Sequence, residues 1–340
     1  MQPIQANNIL ITQLRQVGDV LLATPAVKVL RAWYPHSRIS FLTETVPAVL
    51  LQGNPHLDVV LIRNPKGGLR QDSKLLRAIR AARYDLVIDF FCNPRSAWLS
   101  LFTGAPYRIA SYHAGRAWCY THTPVIPDEN RYAAEDKLAL LRAIGVTGAL
   151  HPPIIRVTAE AKRYIDNFFR GQGIIPGGKL PIITIDATSR RQARRWRPER
   201  YAQLADRLAE RYAARVIFIW GPGEKEFVQA LVARGQCQHL LACPTDLMQL
   251  AALLAQSHLH VGNCSAPRHI AVAVGTPSLT IMGPTSPAHW TFPAPQHQVI
   301  QGNVPCLGCQ QRACQTHECM NSLTVEEVEQ AAVQLLRGKT

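Results

Sequence analysis

Long apolar runs are missing from this 340-residue sequence. A membrane-spanning helix needs about eighteen or more consecutive apolar residues, and no stretch here approaches that length. The N-terminal segment also lacks the positively charged region with which a secretory signal begins. We therefore expect a soluble, cytoplasmic protein whose contact with a membrane is at most peripheral.

Acidic residues are scarce as well, because 23 Asp and Glu stand against 37 Lys and Arg, giving a formal charge of +14. A basic surface of this size attracts phosphate-rich partners such as nucleic acid, anionic lipid or a phosphorylated substrate. Charge alone does not choose among these three. Internal repeats and low-complexity tracts are absent, so the chain is not a repeat array.

The nine cysteines are odd in number and mostly scattered, which indicates a reducing compartment rather than a disulfide framework. Four of them form a short cluster with the spacing of a zinc knuckle: Cys306, Cys309, Cys314 and Cys319. Four thiols in one loop can hold a tetrahedral structural zinc. Reversible disulfides and inert thiols are the alternatives, and nucleic-acid binding through the knuckle is a further one.

Short β-rich runs alternate with helical patterns along the whole chain, which is typical of parallel sheets built from βαβ units. The predicted strands are Ile9–Leu14, Arg38–Leu42, Val59–Ile62, Leu86–Asp89, Ile182–Ile185, Val216–Trp220, Leu259–Gly262 and Ser278–Ile281. The predicted helices are Pro25–Trp33, Ser73–Ala82, Ser96–Thr103, Pro198–Ala213, Glu224–Arg234, Leu247–Ala255 and Val325–Leu336. The Gly/Pro-rich stretch Gly171–Pro181 has the composition of a connection between units.

This pattern predicts an α/β protein with two Rossmann-like domains whose parallel sheets face a central cleft. We place the N-terminal domain at residues 1–155 and the C-terminal domain at residues 156–324. The final helix, within residues 325–340, can pack on either domain. Open parallel sheets bind ligands beyond the carboxyl ends of their strands, so the residues after each strand carry most weight.

Asp19 follows the first strand, behind a turn that Gly18 permits. A carboxylate at this position is suited to act as a general base. The alternative is that Asp19 only caps the following helix.

Two further places after strands suggest nucleotide binding. An arginine-rich segment follows the strand at 182–185, and its guanidiniums can fork onto a phosphate or simply form a solvated face. Glu224 follows Gly221-Pro222-Gly223, where a carboxylate can hold a ribose diol or merely complement a helix dipole.

The loop from Gly262 to His269 again lies between a strand and a helix. Its backbone N–H groups, with Ser265 and the helix dipole, would suit a diphosphate. His269 can donate to the same phosphate, although a lone histidine is more often a core or surface residue.

A basic segment in the N-terminal half includes Lys66, Arg70 and Lys74. These side chains can attract a phosphorylated acceptor, and the alternative is a solvated helix face.

Taken together and in this order, the motifs resemble the bacterial lipopolysaccharide heptosyltransferases, glycosyltransferase family nine. The resemblance covers nearly the whole chain and is carried by Gly18–Pro25, Arg194–Tyr201, Ser265–His269, Gly275–Pro277 and Gly283–Thr285. It implies a GT-B fold and inverting transfer of heptose from ADP-heptose to a lipopolysaccharide inner-core acceptor. The partners that it implies are this donor, this acceptor and the anionic inner membrane, with no cofactor required for catalysis and no nucleic acid.

The resemblance also implies roles for individual residues. Asp19 would be the general base on the acceptor hydroxyl. The donor would be bound by Thr188, Ser189, Arg194, Glu224, Cys264, Ser265, Ala266 and His269.

The diphosphate loop departs from the family's usual Asp-Ser-Gly-Pro-x-His, because Cys264 replaces the aspartate and Ala266 the glycine. A carboxylate that could bind donor hydroxyls is therefore missing. Two alternatives follow: a family member with a different nucleotide-sugar donor, or a degenerate protein that binds a nucleotide sugar without turnover.

Overall fold

The computed structural model describes residues 4–127, 129–175 and 177–338. Some segments discussed above extend beyond the described residues. The residues outside the description are Met1–Pro3 at the N-terminus, Pro176 of the Gly/Pro-rich stretch and the last two residues of range 325–340. The chain forms two compact units, Met1–Arg156 and Val157–Thr340, which divide one residue after the predicted boundary. Among the described residues, no helix is both long and apolar enough to cross a membrane.

The first unit is a five-stranded parallel sheet with helices. Its strands are β1 (Asn8–Thr12), β2 (Arg38–Glu44), β3 (Val59–Arg63), β4 (Leu86–Asp89) and β5 (Tyr107–Ala110). Its helices are α1 (Val17–Leu21), α2 (Thr24–Trp33), α3 (Thr45–Ala48), α4 (Gly68–Ala81), α5 (Pro94–Thr103) and α6 (Ala133–Arg142). The strand order is β3-β2-β1-β4-β5, so the order reverses between β1 and β4.

The second unit is a six-stranded parallel sheet with helices. Its strands are β6 (Ile182–Asp186), β7 (Arg215–Phe218), β8 (Leu240–Leu241), β9 (Leu259–Asn263), β10 (Ser278–Ile281) and β11 (His297–Ile300). Its helices are α7 (Ala159–Gly171), α8 (Pro198–Tyr212), α9 (Lys225–Val232), α10 (Leu247–Ala255), α11 (Ala266–Ala273), α12 (Pro287–Trp290), α13 (Glu318–Asn321) and α14 (Val325–Arg337). The strand order β11-β10-β9-β6-β7-β8 is that of a dinucleotide-binding sheet, with its switch point between β6 and β9.

Apolar side chains on both faces explain why the central strands are parallel and buried. All of β6 and β9 is buried, and β1 is buried except for its first residue. Helices with one apolar stripe cover these sheets; α8, for example, begins with Pro198 and buries Tyr201, Leu204 and Leu208. The predicted α/β class with two parallel sheets is confirmed.

One expectation about a connection needs correction. The Gly/Pro-rich stretch Gly171–Pro181 does not join the units, because it connects α7 to β6 within the second unit. The C-terminal helix α14, for which the sequence left both domains open, packs on α8, β9 and β10 of the second unit. Glu329 of α14 is buried there and forms ion pairs with Arg207 at 3.2 Å and Arg211 at 2.9 Å.

Candidate functional site

Asp19 lies on the short helix α1, just beyond the carboxyl end of β1 and half-buried. Its Oδ2 accepts a hydrogen bond from the backbone N–H of Gln16 at 3.2 Å, so it does make the capping contact that the sequence left open. Among the described residues, no side chain donates to Oδ1. One carboxylate oxygen therefore remains available for a proton.

Lys137 of α6 is the cation whose charge interacts with Asp19. Burial lowers the pKa of this ammonium, and the charges of Asp19 and Asp136 oppose that effect. Sequence reasoning missed this lysine, because α6 was not predicted.

The switch point of the second sheet brings several predicted residues around one that was not predicted, Asp186. This carboxylate at the end of β6 is 3% exposed. Burial raises its pKa to about 6, and the nearby Glu224 contributes to the rise. Asp186 accepts a short hydrogen bond from the Ser265 hydroxyl, and bonds of 3.1 and 2.9 Å from the N–H and hydroxyl of Thr188.

The neighbouring strand β9 approaches Asp186 as closely as a glycine allows. Gly262 pairs with Asp186 across the sheet, and a Cβ on Gly262 would lie 2.9 Å from its backbone oxygen. The next residue, Asn263, accepts from the N–H of Trp196 at 3.0 Å and donates to the carbonyl of Thr188 at 3.1 Å. These contacts fix the loops that follow β6 and β9 relative to each other.

Glu224 reaches back into the same group of residues. Its Oε2 accepts from the N–H of Gly221 at 2.9 Å and lies 2.9 Å from the Thr188 hydroxyl. That hydroxyl has a single proton and serves either Glu224 or Asp186 at one time. Thr188, Glu224, Ser265 and Asp186 therefore form one hydrogen-bonded network.

Helix α11 begins at Ala266, and its N-terminus has no side-chain cap. Ser265 stands at the N-cap position, but its hydroxyl is engaged by Asp186. The first N–H groups of α11 are thus left for another acceptor, and a helix N-terminus favours an anion.

Two arginines add positive charge next to this helix start. Arg194 donates to the carbonyl of Cys264 at 3.3 Å, and Arg268 lies 3.7 Å from the Cys264 sulfur. Arg268 is 2% exposed and also donates to Thr291 at 3.1 Å. None of the ion pairs formed by the described residues includes either arginine.

The electrostatics of this group favour an incoming anion. Burial lowers the pKa of Arg194, as do the charges of Arg191, Arg268 and Arg190. Burial and two cations, Arg268 and Arg194, hold the pKa of His269 well below its usual range. His269 is therefore neutral, and its buried Nδ1 has no hydrogen-bond partner among the described residues. Uncompensated cations in a buried place are costly until an anion binds.

The remaining predicted side chains have other surroundings. Ser189 is buried, and its carbonyl accepts from Arg195 at 2.6 Å. Arg197 and Arg200 of the arginine-rich segment bind Asn321 at 2.7 and 2.8 Å. These two arginines therefore make structural contacts and are not available to bind a phosphate.

Lys66, Arg70 and Lys74 are exposed on α4 and in the loop before it. Among the described residues none of the three has an ion-pair partner. No contact with Asp19 connects them to the candidate base in the part of the chain that the structure describes.

The four clustered cysteines, Cys306, Cys309, Cys314 and Cys319, are all free thiols. They line one cavity of about 390 Å³. Burial, and then the other three thiols, raise the pKa of Cys319 to about 11. Within the described ranges, no three His, Cys, Asp or Glu side chains are arranged to hold a metal ion.

The sequence profile of glycosyltransferase family 9 (heptosyltransferase) matches residues 73–320. Lipopolysaccharide heptosyltransferase 3 of Escherichia coli K12 is 26% identical over 292 residues, which cover 82% of this chain and 83% of that protein.

Two solved structures superpose on nearly the full chain. One is the glycosyl transferase family 9 protein from Veillonella parvula DSM 2008, with a TM-score of 0.89, 24% identity and coverage of 99% and 100%. The other is E. coli ADP-heptose lps heptosyltransferase II, with a TM-score of 0.82, 22% identity and coverage of 98% and 99%. Similarity at this level concerns the fold, and it confirms the predicted GT-B class.

Proposed function

The chain belongs to glycosyltransferase family 9, the heptosyltransferases, and from that premise we propose that it transfers heptose from ADP-heptose to a lipopolysaccharide inner-core acceptor. The observation that carries this proposal is the pair Arg194 and Arg268, which lies beside the uncapped start of α11 without a carboxylate partner among the described residues. A nucleoside diphosphate supplies the missing negative charge. The E. coli heptosyltransferase II that is similar to this chain is named for ADP-heptose, which supports that donor.

In this proposal the predicted residues contact different parts of the donor. Its diphosphate accepts from the N–H groups at the start of α11, from Arg194 and from His269. Glu224 and Thr188 sit after the neighbouring strands, where a ribose diol is held in sheets of this order. Ser189, Cys264 and Ala266 contribute backbone and shape rather than charge.

Catalysis in this proposal is a single displacement. Asp19 accepts the proton of the acceptor hydroxyl while that oxygen attacks the anomeric carbon and the bond to the diphosphate breaks. One attack inverts the configuration. The arginines and the α11 N–H groups stabilise the charge that gathers on the leaving ADP, so no catalytic metal is required.

The acceptor side is proposed to face the cytoplasmic surface of the inner membrane. Lys66, Arg70 and Lys74 offer exposed positive charge to a phosphorylated core. On the adjoining α5, Trp98 packs edge to face on Trp118 with ring centroids 5.0 Å apart, and both are about half exposed. Aromatic rings beside basic residues suit a lipid headgroup region, and nucleic acid is not among the proposed partners.

A transfer assay followed by mass spectrometry tests the reaction. The purified protein is mixed with ADP-heptose and a panel of truncated lipopolysaccharide cores. We expect a gain of one heptose mass on one core, and its loss in Asp19→Asn, which keeps the backbone contact with Gln16 possible. Full turnover by Asp19→Asn would refute the assignment of the base.

A second candidate function keeps the enzyme class and changes the donor, and Cys264 is the observation that favours it. Its buried sulfur lies where the family usually has a carboxylate. A panel of ADP- and UDP-linked sugars in the same assay separates the two candidates. Binding of ADP without transfer of any sugar would instead indicate a protein that has lost turnover.

A further inference from the structure

Asp186 is a buried carboxylate that has no cation partner among the described residues. It is 3% exposed, and none of the ion pairs formed by the described residues includes it. The charged side chain that shares its hydrogen-bonded network is another carboxylate, Glu224. Such an arrangement lowers the stability of the fold at neutral pH. Proteins keep destabilising groups mainly where a ligand site needs them, so Asp186 has a function beside the proposed donor site.

The contacts of Asp186 divide between its two oxygens. Oδ1 accepts from the backbone N–H and the hydroxyl of Thr188, at 3.1 and 2.9 Å. Oδ2 accepts the short hydrogen bond from the Ser265 hydroxyl. A proton added to Oδ2 therefore changes the contact with Ser265 and leaves the contacts with Thr188 in place.

Ser265 links this carboxylate to the start of α11. It occupies the N-cap position of the helix, and its side chain makes no capping hydrogen bond. A hydroxyl has a single proton, and the carboxylate of Asp186 takes it. The Ser265 oxygen therefore presents only lone pairs to an anion at the start of α11, where a diphosphate needs donors.

A proton on Asp186 reverses the direction of the Ser265 hydrogen bond. A protonated carboxyl group has an O–H that can donate to the Ser265 oxygen. The Ser265 hydroxyl is then free to donate to a second acceptor, such as a phosphate oxygen. One proton thus converts Ser265 from an acceptor at the start of α11 into a donor there.

We propose that Asp186 is a positioning residue of the donor site: it takes up one proton when the diphosphate binds, and its protonated form turns the Ser265 hydroxyl towards the diphosphate. This role rests on the proposed function, because it requires a diphosphate at the start of α11. The proton comes from the solvent and returns to it when ADP leaves. Only hydrogen bonds are made and broken in this step.

The charged side chains around Asp186 are of both signs. Arg194 and Arg268 lie next to the start of α11 and stay protonated throughout the pH range. Glu224 lies in the same network as Asp186. Burial raises the pKa of Asp186 to about 6, and the charge of Glu224 contributes. The negative charges of a diphosphate raise this pKa further, so binding brings a proton to Asp186.

The other titratable groups packed around the site keep one form near neutral pH. Burial and the charge of Asp186 raise the pKa of Tyr201 on α8 well above its ordinary value, so this phenol stays protonated. Burial lowers the pKa of His260 on β9 to about 3, and it holds the pKa of His269 on α11 well below its usual range. Both imidazoles are therefore neutral, and we expect the proton taken up near neutral pH to reside on Asp186.

The direction of the pH dependence follows from these pKa values. Below about pH 6, Asp186 is already protonated in the free protein, and the donor binds without gaining a proton. Above that value the free carboxyl is ionised, and each binding event must take a proton from the solvent. Affinity for the donor should therefore weaken as the pH rises, by at most about tenfold per pH unit.

Calorimetry with ADP-heptose, in the absence of acceptor, measures both the affinity and the number of protons taken up. The diphosphate of this donor is esterified at both ends, so it lacks the second phosphate ionisation, near about pH 6, that complicates the use of ADP. Titrations at about pH 7.5 in buffers of different ionisation enthalpy should show uptake of about 0.5 to 1 proton per donor. Binding at about pH 8 should be about three- to tenfold weaker than at about pH 6.

Asp186→Asn has a permanent donor where the protonated carboxyl group has one. Its amide N–H can donate to the Ser265 oxygen at every pH. We expect this variant to bind ADP-heptose equally well at about pH 8 and about pH 6, without proton uptake. Asp206→Asn, the same change at a carboxylate outside the network, is the matched control and keeps the pH dependence of the wild type.

Ser265→Ala separates the turning of the hydroxyl from simple repulsion between charges, and it covers the case in which Asp186→Asn does not fold. Without the hydroxyl, protonation of Asp186 adds no donor, so binding at about pH 6 should weaken about tenfold. Full wild-type affinity of Ser265→Ala at this pH would overturn the proposal.

Two further results would overturn the role of Asp186. One is binding of the donor by the wild type without proton uptake, and the other is undiminished uptake in a folded Asp186→Asn protein. A wild type that does not bind ADP-heptose at any pH would refute the proposed function, and with it this role.

Discussion

Replacing the buried Asp186 by asparagine should stabilise the second unit at neutral pH. Burial raises the pKa of Asp186 from its ordinary value of 3.8 to about 6. A carboxyl whose pKa is higher in the folded chain binds its proton more tightly there, so stability falls as the pH rises from 3.8 through 6. At about 1.36 kcal/mol per pKa unit, the carboxylate costs about 3 kcal/mol above this range.

The asparagine of this variant has nearly the same shape as the aspartate and carries no charge. Its amide oxygen can keep the bonds from Thr188, and its amide group can donate to the Ser265 oxygen. We expect Asp186→Asn to gain about 1–3 kcal/mol of unfolding free energy at about pH 7.5 and to lose most of that gain at about pH 4. Urea unfolding followed by tryptophan fluorescence measures this, since the buried Trp196 lies in the same unit.

Asp206 provides a control of opposite sign. Burial acts to raise its pKa, but hydrogen bonds from the N–H groups of Cys237 and Gln236 outweigh burial, and the pKa is lowered. Its contribution is present above pH 3.8 and is lost as the pH falls, so Asp206→Asn should destabilise the protein at neutral pH. If Asp186→Asn also destabilises the protein at neutral pH, the reasoning about burial is refuted.

Three further substitutions test the candidate site and the packing of the second unit around it. Arg194→Met should weaken ADP binding about ten- to a hundredfold in calorimetry without lowering thermal stability, because this guanidinium has no carboxylate partner among the described residues. Arg215→Met, at an exposed arginine, serves as the control. Equal losses of ADP affinity in both variants would contradict a role of Arg194 in binding the diphosphate. Gly262→Ala should cost about 1–3 kcal/mol in urea unfolding, since its methyl group meets the backbone of β6, whereas Gly171→Ala, with nothing within 4 Å, should be neutral. Glu329→Gln should cost about 1–2 kcal/mol at neutral pH by breaking the ion pairs that dock α14, with ADP affinity unchanged; an unchanged urea midpoint would show that this docking is apolar.

The central strands could be predicted from the sequence because buried parallel strands are nearly continuous apolar runs, such as Ile182–Ile185. Of the four edge strands, β3 was predicted, but β5, β8 and β11 were not. Tyr107–Ala110 and His297–Ile300 mix polar and apolar residues, and β8 has only two residues. The mixed polarity of β5 and β11, and the shortness of β8, leave no continuous apolar run to be recognised.

The position of a residue just after a strand was the feature of the sequence that indicated the site residues. The partners of their side chains could not be predicted from the sequence. Asp186 was overlooked because the strand was predicted to end at Ile185, although an aspartate at a strand's carboxyl end is the kind of residue that the rule selects. Arg268 has no sequence signal for burial, since an arginine is usually exposed. Lys137 reaches Asp19 only through the tertiary position of α6.

Acidic and basic side chains lie in separate places at the switch point of the second sheet. The sequence of the loop after β9, which contains Cys264, explains this separation. Asp186 and Glu224 lie together on the β6 side, where they share the hydroxyl of Thr188. Arg194 and Arg268 lie together at Cys264, where the usual family aspartate would have neutralised them. Because the cysteine supplies no carboxylate to either guanidinium, the replacement increases the attraction for a diphosphate while it removes a group that could bind sugar hydroxyls. The departure from the family pattern therefore bears on which sugar is transferred, and it strengthens rather than weakens the case that a nucleoside diphosphate binds.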